Sequence, residues 1–502
     1  MRHLLIAVAF LTSPLCAQAL KLDIHSRPGR LDSSYLNNPG GSEKILFKGR
    51  VHVATASWLR LYFETSNLPA GSRLRLTSKA DAAVQYLDGA SLSDYGFSSA
   101  YFNGDTVEVE LIGGGRTRGN RVRIERIEWE VRDPKGPLSI CGATDDRKPF
   151  KDARIGRGVA NASLCTWWTI NEFTILTAGH CASLRSNPLI GFNIPFSGSG
   201  GQVAHPPPDD QYPLDVASLR RLASGVGNDW AVVAALRNSN HGLYPGQKQG
   251  SWFKLGQVPA QTSGVNIRIT GNGRVSAPIS PTWNAITKTH VGPRIATNRA
   301  NTLAYRTDTT GGNSGSPIIH EATGEAIGIH THGGCSASGG QNYGTRIDRA
   351  DLQAAIKSIT SSKVAGSWNI FGKGCAGSQG TPKLMVSGIP DIGGKLRIDF
   401  QGFRSGQAGA LLLGASKTAW AGLKLPLDLG RFGATGCTLF ASGDDSILTG
   451  TGTGAGGIGF TLPNSNSLVG KRAYVQFTAI DPGVSRRLKI SLTDAAEFHI
   501  GG

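Results

Sequence analysis

The sequence carries little charge, and beyond its first twenty residues it has no long apolar run. Charged residues make up only 17% of the chain. The absence of a later long apolar stretch excludes a membrane-spanning helix there. The absence of a dense Lys/Arg run with interleaved aromatic residues argues against nucleic acid as a partner. The net charge of +17 is therefore interpreted as diffuse solubilising charge, with acidic substrates or anionic cell surfaces as the alternative.

Stretches with helical periodicity are also scarce, whereas glycine is abundant, with 68 residues. Short runs that alternate apolar and polar residues are typical of half-buried strands, and turn residues separate them. At 502 residues the chain is too long for a single core. The composition predicts an all-β protein of about three domains.

The N-terminus has the pattern of a secretory signal peptide over residues 1–19. An apolar run from Leu4 to Leu15 precedes Ala17-Gln18-Ala19, which has the small-x-small form of a cleavage site. We therefore expect a secreted protein, extracellular or periplasmic. Removal of the signal leaves six cysteines, and an even number in an exported chain predicts three disulfides. Six cysteines allow fifteen pairings. The expected pair is Cys165–Cys181; Cys141–Cys335 with Cys375–Cys437 is the favoured arrangement of the other four, whose pairing the sequence leaves open.

Residues 310–317 read Thr-Gly-Gly-Asn-Ser-Gly-Ser-Pro and place one serine among small residues. Glycines permit a sharp turn and a close approach to a substrate carbonyl, so we expect the Ser314 hydroxyl to be uncovered. The backbone N–H groups of Gly312 and Ser314 are candidates for an oxyanion hole. A glycine-rich surface turn is the alternative for this stretch alone.

Two further stretches favour catalysis. Residues 176–181, Leu-Thr-Ala-Gly-His-Cys, supply His180 as a base for a serine nucleophile, and a Cys165–Cys181 bridge would fix its backbone. Residues 227–233, Gly-Asn-Asp-Trp-Ala-Val-Val, place Asp229 at the start of an apolar strand. A carboxylate there needs a partner, and orienting the imidazole would provide one. Asp215 also precedes an apolar run and is the second candidate for this role.

Together these motifs resemble those of the chymotrypsin-like serine peptidases, over residues 141–360. The order His180, Asp229, Ser314 and the pair of motifs around the histidine and the serine carry the resemblance. It implies two packed β-barrels, with His180 as general base, Asp229 as its orienting acid and Ser314 as nucleophile. It implies a protein or peptide substrate and neither a cofactor nor a metal. A non-catalytic adhesion or binding protein on the same scaffold is the competing hypothesis.

One position departs from the pattern of many animal members, which place Asp before the serine to pair with a freed N-terminus. Asn313 stands there and has no charge to offer. Residues 154–156, Arg-Ile-Gly, resemble an activation cleavage site, but the expected partner is absent. The Gly-Asn-Ser-Gly-Ser-Pro motif resembles that of the bacterial glutamyl endopeptidase branch. The nearby cluster Asp145-Asp146-Arg147 predicts a local salt bridge or turn.

Three residues are candidates for substrate binding in the specificity pocket. Asp308 lies six residues before Ser314. Trypsin-type enzymes place the acid that binds Lys or Arg at this spacing. By resemblance to glutamyl endopeptidases, Thr309 and His330 would instead hold a substrate carboxylate, with a protonated His330 supplying the charge. We expect cleavage after Glu or Asp, with trypsin-like cleavage after Lys or Arg as the alternative.

The predicted domains are a peptidase domain at 139–362, flanked by an N-terminal β-sandwich at 20–138 and, after a linker at 363–380, a C-terminal β-sandwich at 381–502. The N-terminal module could be a removable propeptide, a permanent binding module or a folding aid. Either flanking module could attach the enzyme to a cell surface or matrix. Apolar spacing predicts a final helix near 347–359, with Asp348 capping its start.

Overall fold

The computed structural model describes residues 19–64, 66–130, 138–182, 187–260, 264–361, 366–463 and 468–502. The chain divides into two compact units, Met1–Thr360 and Ser361–Gly502. The predicted signal peptide, except for its last residue, lies outside the described residues, and so do residues 131–137 near the end of the predicted N-terminal module. None of the described helices is long and apolar enough to cross a membrane.

The N-terminal part of the first unit, residues 20–130, is a sandwich of two four-stranded antiparallel sheets, as predicted. Strand Arg73–Ser78 alternates half-buried and buried side chains, as its sequence pattern requires. One short helix spans Gly89–Asp94. The strands are Leu20–Lys21, Ile24–Pro28, Leu36–Asn38, Lys44–His52, Trp58–Phe63, Arg73–Ser78, Val84–Leu87, Phe102–Asn103, Thr106–Gly113, Thr117–Asn120 and Ile124–Glu130.

This sandwich shares its core with the peptidase part of the chain. Strand Leu20–Lys21 pairs with the strand that begins at Ser163, and Leu164 and Leu189 belong to the same apolar cluster as the sandwich residues. Strand Trp58–Phe63 alternates in sequence but is buried on both faces. The face that carries Arg60 is covered by residues 98–101 of the sandwich and by Asn187, whose carbonyl accepts from Arg60 at 2.8 Å.

Two closed six-stranded antiparallel barrels follow, which confirms the predicted double-barrel fold. The first is closed by pairing of Ser163–Thr169 with Thr174–Thr177, and the second by pairing of Lys288–Ile295 with Thr302–Tyr305. The first barrel comprises Ile155–Ala160, Ser163–Thr169, Thr174–Thr177, Leu189–Gly191, Gln211–Ala223 and Asp229–Ala235. The second comprises Asn266–Gly271, Lys288–Ile295, Thr302–Tyr305, Pro317–His320, Ala326–His332 and Asn342–Arg346.

Several short elements complete this part of the chain. Leu138–Ser139 pairs with Thr309–Thr310, and Lys148–Pro149 pairs with the second barrel. Cys335–Ser336 and Gly339–Gly340 form a small hairpin. A short helix spans Pro245–Gln249, and single 3-10 turns occupy Gly179–Cys181, Pro208–Asp210 and Pro281–Trp283.

The final helix of the first unit spans Ala350–Thr360. It buries Leu352, Ala355, Ile356 and Ile359 in the core of the first barrel, as their spacing predicts. The expectation that Asp348 caps the helix is wrong. Its carboxylate instead binds the guanidinium of Arg346 at 2.5 Å and 2.9 Å, because the helix begins two residues later.

Three disulfides are formed, and they are the predicted pairs. Cys165–Cys181 lies within the first barrel, and Cys141–Cys335 joins the start of the peptidase part to the second barrel. Cys375–Cys437 lies within the second unit. All six sulfurs of the described cysteines are therefore in bridges.

The second unit is a sandwich of a five-stranded and a three-stranded sheet. The strand Ser367–Phe371 pairs with Ile490–His499, so residues that were predicted as linker already belong to this sandwich. The alternating Trp368 and Ile370 explain why the segment forms a strand. The strands are Ser367–Phe371, Lys383–Gly388, Lys395–Gln401, Ala408–Gly414, Ala419–Trp420, Leu423–Lys424, Leu427–Asp428, Thr438–Leu439, Asp445–Gly450, Ala455–Thr461, Arg472–Ile480 and Ile490–His499, with a 3-10 turn at Leu429–Phe432.

Candidate active site

The structure brings His180, Asp229 and Ser314 into one hydrogen-bonded row. Nε2 of His180 lies 2.8 Å from Oγ of Ser314, and Nδ1 lies 2.5 Å from Oδ2 of Asp229. The backbone N–H of His180 donates to Oδ1 of the same carboxylate at 2.9 Å. Since the carboxylate accepts from Nδ1–H, Nε2 is left as the acceptor that faces the serine hydroxyl.

His180 sits on a single 3-10 turn, Gly179–Cys181, directly after a buried strand of the first barrel. A side chain at Gly179 would meet the carbonyl oxygen of Leu222 at 1.8 Å, so only glycine allows the turn to approach the neighbouring strand. The Cys165–Cys181 bridge holds the other end of the turn. The backbone of His180 is thus fixed on both sides.

Asp229 begins the strand Asp229–Ala235 and is 2% exposed. Its backbone carbonyl accepts from Oγ1 of Thr345 in the second barrel at 2.8 Å, which links the two barrels at this point. Asp215 lies elsewhere, opposite Ala234 in the middle of strand Gln211–Ala223. The imidazole of His180 is therefore held by Asp229 and not by Asp215.

The serine turn is anchored to the first barrel by side chains that were not singled out from the sequence. Thr166 donates from Oγ1 to the Gly312 carbonyl at 2.8 Å, and its N–H donates to the Ser314 carbonyl at 2.9 Å. Nε1 of Trp168 donates to the Gly315 carbonyl at 2.9 Å. Gly312 has a φ of +101°, a conformation that favours glycine. The turn therefore depends on both barrels.

The expectation that the Ser314 hydroxyl is uncovered is wrong, because the residue has no exposed surface. Besides His180, Oγ lies 3.4 Å from the Thr331 carbonyl. Small neighbours permit the sharp turn, but they also allow the surrounding chain to close over the hydroxyl.

A second histidine lies beside the row. Nδ1 of His332 is 3.9 Å from Oδ2 of Asp229, and its ring centroid is 6.1 Å from that of His180. Burial lowers the pKa of His332, although the neighbouring Asp229 carboxylate opposes this shift. A neutral imidazole at this position avoids placing a second cation beside His180. No sequence pattern pairs His332 with Asp229.

Asp308 does not lie open for a substrate. It is 1% exposed, and its carboxylate accepts from the N–H of Cys141 at 2.7 Å and from the N–H of Asp146 at 2.8 Å. Nδ1 of His290 lies 3.3 Å from Oδ2. These contacts engage both carboxylate oxygens within the protein, and burial leaves the group almost no exposed surface, which disfavours the trypsin-type role predicted as the alternative.

Thr309 and His330 are both completely buried. The Tyr305 hydroxyl lies 2.6 Å from Nδ1 of His330. Burial, together with the neighbouring imidazoles of His332 and His180, lowers the pKa of His330 to about 3. The protonated His330 that was expected is therefore absent from the free protein at neutral pH.

Asn342 is a pocket residue that the sequence analysis missed. It is completely buried, and its Nδ2 donates to Oγ1 of Thr309 at 2.9 Å. Its Oδ1 accepts from Oγ of Ser139 at 2.6 Å and from the N–H of Gly334 at 2.9 Å. A lone Asn in a strand has no distinguishing pattern. Only the fold reveals that Asn342 connects Thr309 with Ser139 and Gly334.

Two groups of metal-type ligands occur among the described residues. One contains His180 with Cys165 and Cys181, whose sulfurs are in a disulfide and are not thiolates. The other is Asp146, His290 and Asp308. In that group the Asp308 oxygens already accept the backbone N–H groups of residues 141 and 146.

The order and geometry of the row agree with a comparison of the sequence with known families. Residues 152–352 match the model of the family described as Trypsin. Residues 152–352 form a trypsin-family domain. The chain is thus a serine-type endopeptidase, a hydrolase, as the motifs predicted.

Among curated proteins, one relative is the glutamyl endopeptidase of Bacillus licheniformis. It is 26% identical over 291 residues, which cover 54% of this chain and 82% of the relative.

Similar solved structures include a Glu endopeptidase in complex with MPD, 20% identical, covering 44% of this chain and all of that one, with a TM-score of 0.34. Another is the thermostable serine protease AL20 from an extremophilic microorganism, 15% identical, covering 42% of this chain and 98% of that one, with a TM-score of 0.32.

Proposed function

We propose that this endopeptidase acts through His180, Asp229 and Ser314 and cleaves after Glu or Asp. The observation that carries the catalytic part is the position of the His180 imidazole, 2.8 Å from the Ser314 hydroxyl and 2.5 Å from the Asp229 carboxylate. These distances are those of a nucleophile, its base and the acid that orients the base.

In the proposed reaction Oγ of Ser314 attacks the scissile carbonyl while Nε2 of His180 takes its proton. The same proton is then given to the leaving amine, which departs and leaves an acyl-enzyme. Water, deprotonated by His180, attacks the ester and releases the acid product and free Ser314. Asp229 keeps the Nδ1–H tautomer and stabilises the imidazolium that forms between these steps.

The N–H groups of Gly312 and Ser314 are the proposed donors to the oxyanion of each tetrahedral intermediate. The positive φ of Gly312 supports this assignment, because it is the backbone setting that lets a tight turn present its N–H groups on one side. The anchoring of the Gly312 and Ser314 carbonyls by Thr166 would keep the donors from turning away.

Two observations support acidic rather than basic specificity. The carboxylate of Asp308 is buried and accepts two backbone N–H groups, so a Lys or Arg side chain would find it already satisfied. The curated relative is a glutamyl endopeptidase. By resemblance to that branch, Thr309 and His330 are the residues that would hold the substrate carboxylate.

Recognition of the carboxylate would begin from a neutral His330. Its pKa of about 3 leaves the ring uncharged, and the Thr309 oxygen accepts from Asn342, so the threonine offers its hydroxyl hydrogen. A substrate carboxylate placed beside this imidazole would raise its pKa. We therefore propose that acidic substrates bind together with a proton.

Cleavage of a peptide library tests the specificity. We expect products that end mainly in Glu or Asp, and loss of all cleavage with Ser314→Ala. His330→Gln should weaken cleavage after Glu more than cleavage after an apolar residue, whereas Thr309→Ser, which keeps the hydroxyl, serves as the matched mild variant. Products that end mainly in Lys or Arg, and that vanish with Asp308→Asn, would refute the proposed pocket while leaving the serine chemistry in place.

We also propose that the protein is secreted. Three formed disulfides support an oxidising compartment. Attachment to a surface or matrix through the flanking modules stays a prediction.

A further inference from the structure

Asn313, directly before Ser314, has a cationic partner within the same chain. Nη1 of Arg147 donates to Oδ1 of Asn313 at 2.9 Å and to Oγ1 of Thr310 at 2.8 Å. Oδ1 of Asn313 also accepts the N–H of Thr310 at 3.0 Å. One guanidinium therefore holds both ends of the turn that carries the proposed oxyanion donors.

The guanidinium is itself held rigidly and is almost fully buried, with 2% of the residue exposed. Its Nε and Nη2 donate to the two oxygens of Asp145 at 2.8 Å and 2.6 Å, and Nη2 also donates to the Arg274 carbonyl at 2.7 Å. Burial raises the pKa of Asp145, but the hydrogen bonds from Arg147 outweigh this and the net shift is downward. The carboxylate is therefore ionised beside the cation.

This arrangement explains the choice of asparagine before the serine. The charge of Arg147 is already balanced by Asp145, so the turn needs to offer only a neutral oxygen. A second carboxylate at position 313 would place two like charges around one buried cation, which is costly. Asn313 supplies the acceptor without that repulsion.

The surrounding chain makes room for this contact. A Cβ at Gly273 would lie 2.0 Å from Oδ1 of Asn313 and 2.4 Å from Nη1 of Arg147. The space in which the two side chains meet is therefore the space that a side chain at position 273 would fill. The space left by Gly273 is a second indication, independent of the hydrogen bonds, that the fold accommodates the contact between Arg147 and Asn313.

The segment that carries Arg147 is fixed at several points upstream. Ser139 pairs with Thr309, Cys141 is bridged to Cys335, and Asp308 accepts the N–H groups of residues 141 and 146. The stretch that resembles an activation site lies inside the first barrel. Its Ile155 is 1% exposed and is paired opposite Trp168. A new N-terminus at Ile155 would have to leave this pairing to reach another site.

We propose that Arg147 is a positioning residue that holds the oxyanion turn in its working conformation through Asn313. The consequence is that the chain is active without cleavage to create a new N-terminus. The inference rests on the proposed function, since it concerns the turn that would carry the oxyanion donors. Arg147 touches the turn and not the reacting atoms, so its effect should appear in the chemical step.

The test compares wild-type protein, Arg147→Gln, Asn313→Ala, Gly273→Ala and the pair Arg147→Gln/Asn313→Ala. We expect Arg147→Gln to lower kcat by about 10²–10³-fold, as loss of an oxyanion donor does, with little change in KM. Affinity for a peptide aldehyde, which binds as a tetrahedral adduct, should fall in parallel. Asn313→Ala should add little to Arg147→Gln, because both remove the same contact.

Arg154→Gln is the matched control. Arg154 binds Asp152, two residues before it, through the same pair of nitrogens, so this variant also removes an Asp-x-Arg ion pair, but one that is remote from Asn313. It should keep kcat near the wild-type value. If Arg147→Gln fails to fold, Gly273→Ala decides, since it removes no donor or acceptor and its methyl group would push Arg147 away from both Asn313 and Thr310.

Several results would overturn the inference. These are an unchanged kcat in Arg147→Gln or, should that variant not fold, in Gly273→Ala; a loss confined to KM; or a wild-type chain that gains activity only after cleavage upstream of the first barrel. Failure of the proposed function is distinguishable, because a wild-type protein whose Ser314 does not react with a fluorophosphonate, before or after such cleavage, would lack the chemistry altogether.

Discussion

The hydroxyl of Tyr305 lies 2.6 Å from Nδ1 of His330, and both residues are completely buried. Burial raises the pKa of Tyr305 well above its usual value, so the phenol stays protonated. Its O–H therefore donates a hydrogen bond to Nδ1 of His330. His330 is thereby held as a neutral ring whose remaining N–H is on Nε2. The tyrosine thus sets the tautomer of the proposed pocket histidine.

Tyr305→Phe tests this relationship. Loss of the donor releases the tautomer, so we expect kcat/KM after Glu to fall while kcat/KM after an apolar residue changes little. Steady-state kinetics on a matched pair of peptides, one with Glu and one with Leu before the cut bond, gives the measurement. An equal loss on both peptides would mean that Tyr305 acts on the fold and not on the pocket.

The buried state of His330 also predicts a pH dependence of stability. Its pKa is about 3 in the folded protein against a usual 6.5, so between these values the unfolded chain binds a proton that the folded chain does not. The free energy of unfolding should therefore fall as the pH falls from 6.5 towards 3. His330→Gln should weaken this dependence in thermal melts, while His320→Gln, whose imidazole contacts Thr323, should leave it. Equal slopes for both variants would contradict the account.

Asp229→Asn should lower kcat by roughly 10⁴-fold, because an amide can no longer hold the Nδ1–H tautomer of His180. Asp215→Asn is the control, since Asp215 lies in a different part of the neighbouring strand. Kinetics with one peptide substrate would decide between them. A crippled Asp215→Asn beside a mild Asp229→Asn would show that the orienting acid is wrongly assigned.

The Cys165–Cys181 bridge should stabilise the peptidase part of the chain. It spans a sequence separation of 16, and a loop of about 15 residues is worth roughly 3 kcal/mol in the chain-entropy model. A Cys165→Ala/Cys181→Ala protein should unfold at lower denaturant concentration and lose activity earlier than wild type. Removal of Cys375 and Cys437, which are bridged in the second unit, should leave the unfolding of the first unit unchanged. The reverse pattern would contradict this expectation.

The N-terminal sandwich should remain bound even if the chain is cut after it. Strand Leu20–Lys21 is part of the first-barrel sheet, and the ring of Tyr101 stacks on His205 at 4.1 Å. A protease site inserted between residues 130 and 138 would allow the cut. We expect both fragments to elute together in gel filtration and activity to persist, whereas clean separation into an active peptidase would identify a removable propeptide.

Strands and motifs that follow a local pattern could be predicted from the sequence. Side-chain burial and protonation states, which depend on tertiary contacts, could not. Alternation located strands such as Arg73–Ser78, and two motifs predicted the barrels around His180 and Ser314. Alternation could not show that Arg60 is buried, because the groups that cover it come from residues 98–101 and 187. The protonation state of His330 likewise follows from burial, which no local pattern records.

The contact of Arg147 with Asn313 shows the same limit. The cluster at 145–147 predicted a local salt bridge, and Arg147 does bind Asp145. Its second contact joins residues 166 positions apart, through a space left by Gly273. An isolated arginine and an isolated glycine carry no such signal, so this part of the site became visible only in the fold.

The most direct test of the account is fluorophosphonate labelling of the intact protein, with the modified peptide mapped by mass spectrometry. The proximity of His180 to the Ser314 hydroxyl, 2.8 Å, predicts a single label on Ser314 in the wild-type protein. The label should be lost in Ser314→Ala and strongly slowed in His180→Ala. Absence of label in folded wild-type protein, or a label on another serine such as Ser316, would contradict the proposed mechanism.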